Sequence, residues 1–393
     1  MRLTPRARLN VLWAALPALV AGCPAADHSP TTAAALPAPS ASAPDAPDAP
    51  PVIFDTDMWS DIDDALALAM LHSLHEQHEI NLVAVTVSTA EPWSASYVDL
   101  VNTFYGHADI PIGLTHDGPT PEDFAKRFPQ SKGPTTRYTE ILSQRTESDG
   151  SLRYPHQLVD GAKAPEAVSL LRKTLAAQPD GSVVMIQVGY STNFARLLDS
   201  PADASSPLSG RELVAQKVRL LSAMAGNFHE TRSGTRTFPE GSPEFNLMVD
   251  VRAAQKVFSS WPTPIVDSGF EIGLGMLYPG QSITGDYAYV EHHPIAETYL
   301  TFCEEQKERG GMKQCPHNHP TFDLTAVLYA ARPDGGYFSL SQPGRIKVLA
   351  GGGSRFEESA DGSHRHLILD EQQKARTLDA MVTLASRPPR KTF

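Results

Sequence analysis

Apolar runs rich in β-branched residues alternate along the chain with segments whose apolar positions recur every three or four residues. Val52 to Phe54, Leu82 to Val87, Val183 to Val188, Val218 to Met224 and Pro264 to Val266 have the length and composition of buried strands. Asp63 to His75, Ser94 to Tyr105, Pro165 to Ala177 and Val251 to Ser260 carry the helical period. Strands separated by helices predict an α/β fold, a mainly parallel open sheet with helices on both faces. Such sheets bind ligands beyond the carboxyl ends of their strands, so the residues after each strand are the ones to search for chemistry. Thr115 to Lys163 is rich in Gly, Pro and charge and lacks strong periodicity, which predicts a long insertion near the site. No internal repeat is visible.

The pattern begins only at residue 52. Residues 1–23 read as a targeting segment: Arg2, Arg6 and Arg8 precede an apolar stretch from Val11 to Ala21, shorter than the roughly 20 residues that span a bilayer. It closes on Leu19-Val20-Ala21-Gly22-Cys23, which resembles a bacterial lipobox, so Cys23 is expected to carry lipid and become the mature N-terminus. An ordinary cleavage site with an incidental cysteine is the alternative. Residues 24–51 hold eight prolines in 28 positions among Ala, Ser, Thr and Asp, too little apolar surface for a core. They predict a semi-extended spacer of about 3.1 Å per residue between an envelope anchor and a domain spanning 52–393.

Charge narrows the partners. With 33 basic and 45 acidic residues the net charge is -12, which argues against a nucleic-acid polymer and allows a small neutral ligand or a cation. Membrane contact is expected only through the lipid, and a homo-oligomer is left open. Cys303 and Cys315 flank a polar loop that an oxidising envelope could bridge, two free thiols being the alternative.

The strongest chemical signal is the run from Asp55 to Asp64, with five carboxylates in ten residues between a buried strand and an amphipathic helix. So many like charges repel unless a cation or donors compensate them. Oxygen donors without interleaved His or Cys favour calcium or magnesium over zinc. The competing reading is a solvated loop in which Asp61 caps the helix and Asp63 and Asp64 complement its dipole. Asp55 and Asp57 speak against it, because a strand end needs no acid.

The run resembles the signature of the inosine-uridine nucleoside hydrolases, which reads D-T-D-P-G-x-D-D-A after the first strand. Further motifs agree in order over roughly residues 52 to 335. Ala84 to Glu91 looks like the family's second strand, followed by Asn102 and Asp109-Ile110-Pro111. Gly189-Tyr190-Ser191-Thr192-Asn193 is similar to its G-P-L-T-N, Glu244-Phe245-Asn246 matches its E-F-N, and Phe322-Asp323 stands where it has H-D. The resemblance implies a calcium-dependent N-ribohydrolase that cleaves ribonucleosides or a related riboside to ribose and free base. It implies Asp57 as general base and metal ligand, with Asp64, Asp323 and the carbonyl of Thr192 as further ligands. Asp63, Glu244 and Asn246 would bind sugar hydroxyls, with Glu91 and Met224 as further substrate contacts. The reaction itself needs an activated water on one sugar face and help for the leaving base on the other.

Each residue also has a structural alternative: Thr192 and Asn193 as caps, Glu244 and Asn246 as loop-ordering residues, Asp323 as the cap of a helix over Leu324 to Ala330. The motif also departs from the family. Five residues rather than three separate Asp57 from the paired Asp63-Asp64, Trp59-Ser60-Asp61 replaces Pro-Gly, Glu91 replaces Asn, and Phe322 replaces a His that could protonate the base. His156, within the predicted insertion, is the preferred substitute acid, ahead of His317 and His319. Two other functions compete. A haloacid-dehalogenase-type phosphatase would use Asp55 as nucleophile and Asp57 as acid. A surface lipoprotein would bind a nucleoside or glycan without cleaving it.

Overall fold

The computed structural model describes residues 49–127, 136–309 and 313–390. The targeting segment, Cys23 and the spacer up to Asp48 lie outside the described residues. The first element is β1 (Pro51–Thr56), followed by α1 (Asp63–Glu76), β2 (Asn81–Val87), α2 (Pro92–Phe104) and β3 (Ile112–Leu114). The core strands β4 (Val183–Gln187) and β5 (Val218–Met224) come next, then the strands Ile265–Ser268 and His364–Ile368. In space the order runs 364–368, 265–268, β5, β4, β1, β2, β3, all neighbours parallel. Gly344–Val348 and Ser354–Glu358 extend one edge in antiparallel fashion.

Two apolar cores follow from the two-residue period of the strands. Val52 and Phe54 of β1 and Val184 and Ile186 of β4 face one core, built with α1, α2 and the helices Phe322–Ala331 and Glu371–Ala385. Ile53, Val183 and Met185 face the other, built with the helices Ala167–Ala176, Thr192–Asp199 and Val251–Ser260. Because both faces are covered, the central strands are buried along their length, and their near-continuous apolar runs are the consequence. The mainly parallel α/β architecture expected from the sequence is the one observed.

Three details differ from the sequence reading. Pro51, assigned to the spacer, already belongs to β1 and pairs with Asn81. The C-terminal edge strands escape a hydrophobicity pattern because they are short and half exposed, with polar side chains on the solvent side. The segment 115–163 contains the helices Pro121–Arg127 and Tyr138–Ser143 and does not lie over the strand ends throughout. Its later part is tied along α2, where Asp99 Oδ2 accepts from the backbone N–H of Gln157 at 2.6 Å and of Leu158 at 2.5 Å.

Cys303 and Cys315 form a disulfide across a separation of 12 residues. It joins the helix Pro294–Glu308 to the stretch that delivers His317 and His319. Closing a loop of that size removes chain entropy worth about 3 kcal/mol from the unfolded state. Reduction, or Cys303→Ser with Cys315→Ser, should therefore lower the denaturant midpoint by the equivalent of about 2–3 kcal/mol. An unchanged midpoint would mean that the bridge constrains nothing in the unfolded chain.

Candidate functional site

The strand order reverses at β1, which lies between β2 and β4. The carboxyl ends there form the crevice in which sheets of this type bind ligands. The chain must pass very close here: a Cβ on Gly189 would lie 2.4 Å from the backbone N of Asp57, so only glycine fits after β4. Asp55, the last-but-one residue of β1, is wholly buried and is held from both sides. Thr86 Oγ1 of β2 and Asn193 Nδ2 donate to its Oδ2 at 2.6 and 2.7 Å, and burial pushes its carboxyl up to about 7. Asn193 Nδ2 also donates to the carbonyl of Val87 at 3.1 Å. Asp55 thus locks three elements together and is not among the residues lining the cavity, which removes the nucleophile that the phosphatase reading requires.

The loop from Asp57 to Ile62 carries the acids forward. Trp59 sits there with φ of 149°, a region normally left to glycine, and its ring is buried edge-on against Phe124 at 6.0 Å. Ser60 Oγ donates to Asp57 Oδ2 at 2.9 Å, and Thr56 Oγ1 donates to Asp64 Oδ1. Asp61 Oδ1 accepts from its neighbour Ile62 N at 2.7 Å and lies 2.7 Å from Nε2 of the buried His319. Burial alone would raise the Asp61 carboxyl, yet the charge and hydrogen bond of His319 outweigh it and hold Asp61 below its ordinary range. Burial likewise disfavours the imidazolium of His319, and Asp61 overcomes it, raising His319. Asp63 Oδ2 accepts the backbone N–H of Asp323 at 3.0 Å, which ties the start of α1 to the helix Phe322–Ala331.

Carboxylate oxygens of Asp63, Asp64 and Asp323 come within 4.8 Å of one another, all three residues being buried. Burial, then repulsion from neighbouring acids, raises all three, Asp63 to about 8. Asp57 is pushed up to about 6, mainly by burial. An all-oxygen donor set that its own charges destabilise fits a hard divalent cation.

These acids form the floor of a cavity of about 280 Å³ lined also by Ser60, Val188, Met224, Glu244, Asn246 and four phenylalanines. The rings are Phe124, Phe245, Phe270 and Phe322. Phe270 stacks on Phe322 at 5.3 Å, and Phe124 meets Phe245 at 5.4 Å. Glu244 caps the short helix Phe245–Val249 by accepting from Asn246 N and Leu247 N, and it also takes Gly226 N at 3.2 Å. Asn246 Nδ2 bridges the carbonyls of Val188 at 2.7 Å and Met224 at 3.1 Å, pinning the ends of β4 and β5 to one another. The lining thus combines a cluster of acids with two pairs of phenylalanine rings.

The family model described as inosine-uridine preferring nucleoside hydrolase matches residues 52–385. The chain belongs to that family. Its activity class is accordingly that of an N-ribohydrolase. Solved structures share the fold at low identity. A plant nucleoside hydrolase is 17% identical with a TM-score of 0.58, covering 86% of this chain and 99% of its own. The purine-preferring ribonucleoside hydrolase of Gardnerella vaginalis is 15% identical with a TM-score of 0.58, covering 86% and 98%. The inosine-uridine preferring nucleoside hydrolase of Bacillus anthracis is 16% identical with a TM-score of 0.56, covering 86% and 99%. No curated protein matches the chain.

For this nucleoside hydrolase chain the structure gathers Asp57, Asp63, Asp64, Met224, Glu244, Asn246 and Asp323 around one cavity. It does not bring Thr192, Glu91 or His156 to it. Thr192 opens its helix and donates from Oγ1 to Asp250 at 2.8 Å, whereas Val188, immediately after β4, lines the cavity. Glu91 is the N-cap of α2, accepting from Trp93 N, Ser94 N and Ser94 Oγ. His156 Nδ1 pairs with the carbonyl of Tyr154 at 2.8 Å, in the segment fastened along α2. Sequence reasoning missed the aromatic wall, whose rings come from four separate segments, and the pairing of Asp61 with His319. The family motifs touched two of those rings, Phe245 in the E-F-N match and Phe322 in place of the His, without showing that they share a cavity.

The reassignment of Glu91 has a direct check. Glu91→Ala should lose about 1–2 kcal/mol of folding stability through the cap and leave KM for a riboside unchanged. A raised KM at unchanged stability would return Glu91 to the substrate.

Proposed function

We propose that the chain hydrolyses the N-glycosidic bond of ribonucleosides, or of a closely related riboside, in a calcium-dependent manner. The observation that carries this reading is the meeting of an acid cluster and four phenylalanine rings in the lining of one cavity, the two kinds of surface that a sugar diol and a planar base require. Asp64 and Asp323 would hold the ion with Asp57, and the carbonyl of Val188 rather than that of Thr192 is the candidate for the backbone ligand. When bound, calcium supplies a template for the sugar diol and the water, but it acidifies that water less than zinc does. Asp57, anchored by Ser60, therefore takes the proton of the attacking water. Asp63, Glu244 and Asn246 orient the sugar hydroxyls, and Met224 with the phenylalanines holds the base and excludes water from its face.

Phe322 sits on the aromatic wall, and no imidazole lines the cavity among the described residues. The leaving base is thus stacked rather than protonated by a histidine. That feature also favours a second reading, retention of a riboside without cleavage, which differs in releasing no ribose. We further infer export of the domain on a lipid-bearing Cys23, a reading that rests on the N-terminal sequence.

Thorough chelation should lower the melting temperature and abolish release of reducing sugar from a nucleoside panel, with calcium restoring both. Unchanged melting and turnover would remove the cation from this account. Asp57→Asn should cut turnover by about 10²-fold or more while calorimetry still detects riboside binding. If instead the wild type binds ribosides and liberates no ribose, the binding reading replaces the enzymatic one.

A second variant isolates the wall. Phe322→His should speed hydrolysis of a poor leaving group such as inosine by about tenfold or more and change a p-nitrophenyl riboside little. Equal effects on both substrates would show that the ring matters for packing alone.

A further inference from the structure

Away from the acidic floor, His229, Glu271 and His366 converge from three separate segments, with ligand atoms within 4.8 Å of one another. His229 is exposed in the loop that follows β5, Glu271 lies in the short helix Phe270–Leu274, and His366 is buried on the strand His364–Ile368. The carboxylate is only half satisfied. Its Oε2 accepts the backbone N–H of Phe228 at 3.1 Å, while its Oε1 is buried with no hydrogen-bond partner among the described residues. His366 is already in the right tautomer: Nδ1 lies 3.2 Å from the carbonyl of Leu367, which can only accept, so Nδ1 carries the proton and Nε2 keeps its lone pair. The rings of Phe228 and Phe356, each with its centroid 4.8 Å away, hold that imidazole in place.

We propose that His229, Glu271 and His366 form a second metal site, selective for zinc or a similar transition ion. Two imidazoles and one carboxylate suit a borderline-soft cation, in contrast to the all-oxygen floor. Closing the three donors to tetrahedral spacing needs a shift of roughly an ångström. The exposed His229 side chain can supply it. The metal would engage Glu271 Oε1 and clamp the loop after β5 to the strand His364–Ile368. The clamp reaches the catalytic cavity. The loop continues into the hairpin Thr231–Ser233 and Arg236–Phe238, Phe238 packs 5.0 Å from Phe270, and Phe270 stacks on the cavity-lining Phe322. The site thus holds one wall of the base pocket in place.

The test uses protein without a polyhistidine tag, stripped by chelator, returned to excess calcium and titrated calorimetrically with zinc chloride. The wild type should take up close to one zinc per chain and gain thermal stability, and His319→Asn should do the same. His229→Ala, at an exposed position, and Glu271→Gln, which keeps shape and removes charge, should each weaken zinc binding at least about tenfold and lose the thermal gain. Cobalt(II) should give visible absorption bands in the wild type that His229→Ala lacks. No zinc uptake by the wild type, or equal affinity in His229→Ala and Glu271→Gln, overturns the proposal. Loss in His319→Asn with retention in His229→Ala does so too, by assigning the zinc to Asp61, Asp63 and His319.

Discussion

Asp57, Asp61, Asp63, Asp64, Asp323 and Glu244 meet at the carboxyl ends of the sheet, and the rest of the site is arranged around their repulsion. Two like charges about 4 Å apart repel by about 4 kcal/mol even at an effective dielectric near 20, and six of them would splay the strand ends apart. The protein answers part of this locally. His319 neutralises Asp61, the Asp323 N–H serves Asp63, three backbone N–H groups serve Glu244, and Thr56 and Ser60 serve Asp64 and Asp57. What remains, chiefly on Asp64 and Asp323, calls for a cation. The residues that brace the cluster are themselves buried and polar, so the sheet ends are held by hydrogen bonds as well as by apolar packing.

The parts of this arrangement that were legible in the sequence are those with a local cause. Buried central strands announce themselves as continuous apolar runs, whereas α1, read as an amphipathic helix, is buried on nearly every side. The acidic run marks its own site through Asp57, Asp63 and Asp64, whereas Asp55, also expected to have no structural role at its strand end, turns out to join three elements by hydrogen bonds. The ordered motifs then tied Glu244, Asn246 and Asp323 to the run across about 180 to 260 residues, something no periodicity argument reaches. In the folded chain those residues line one cavity with the run.

What stayed hidden depends on where side chains point after the chain turns. Glu91 closes the motif stretch that begins at Ala84, yet β2 ends at Val87, and four further residues bring Glu91 to the N-cap of α2, where free N–H groups claim its carboxylate. Thr192 lies four residues past Val188, far enough for Gly189 to have carried the chain into the next helix. His156 was expected over the strand ends because its segment is irregular. Asp99 instead fixes that segment along α2 through two short hydrogen bonds. The edge strands at the C-terminus were hidden for a different reason: one exposed face dilutes their apolar pattern to nothing.

The longer acidic loop and the missing histidine are two parts of one rearrangement. Relative to the family pattern the loop gains residues and with them Asp61, and the imidazole that the pattern places beside the last acid is replaced by Phe322. In the folded chain the imidazole beside the acids is that of His319, which pairs with Asp61. There it offsets an acid that would otherwise add to the repulsion, and the vacated position becomes part of a stacked aromatic wall with Phe270. Under the proposed function, a site built this way would favour holding of the sugar and flat contact with the aglycone over proton delivery to it. Its selectivity should therefore follow the stacking surface and the intrinsic leaving ability of the aglycone more than its hydrogen-bonding pattern.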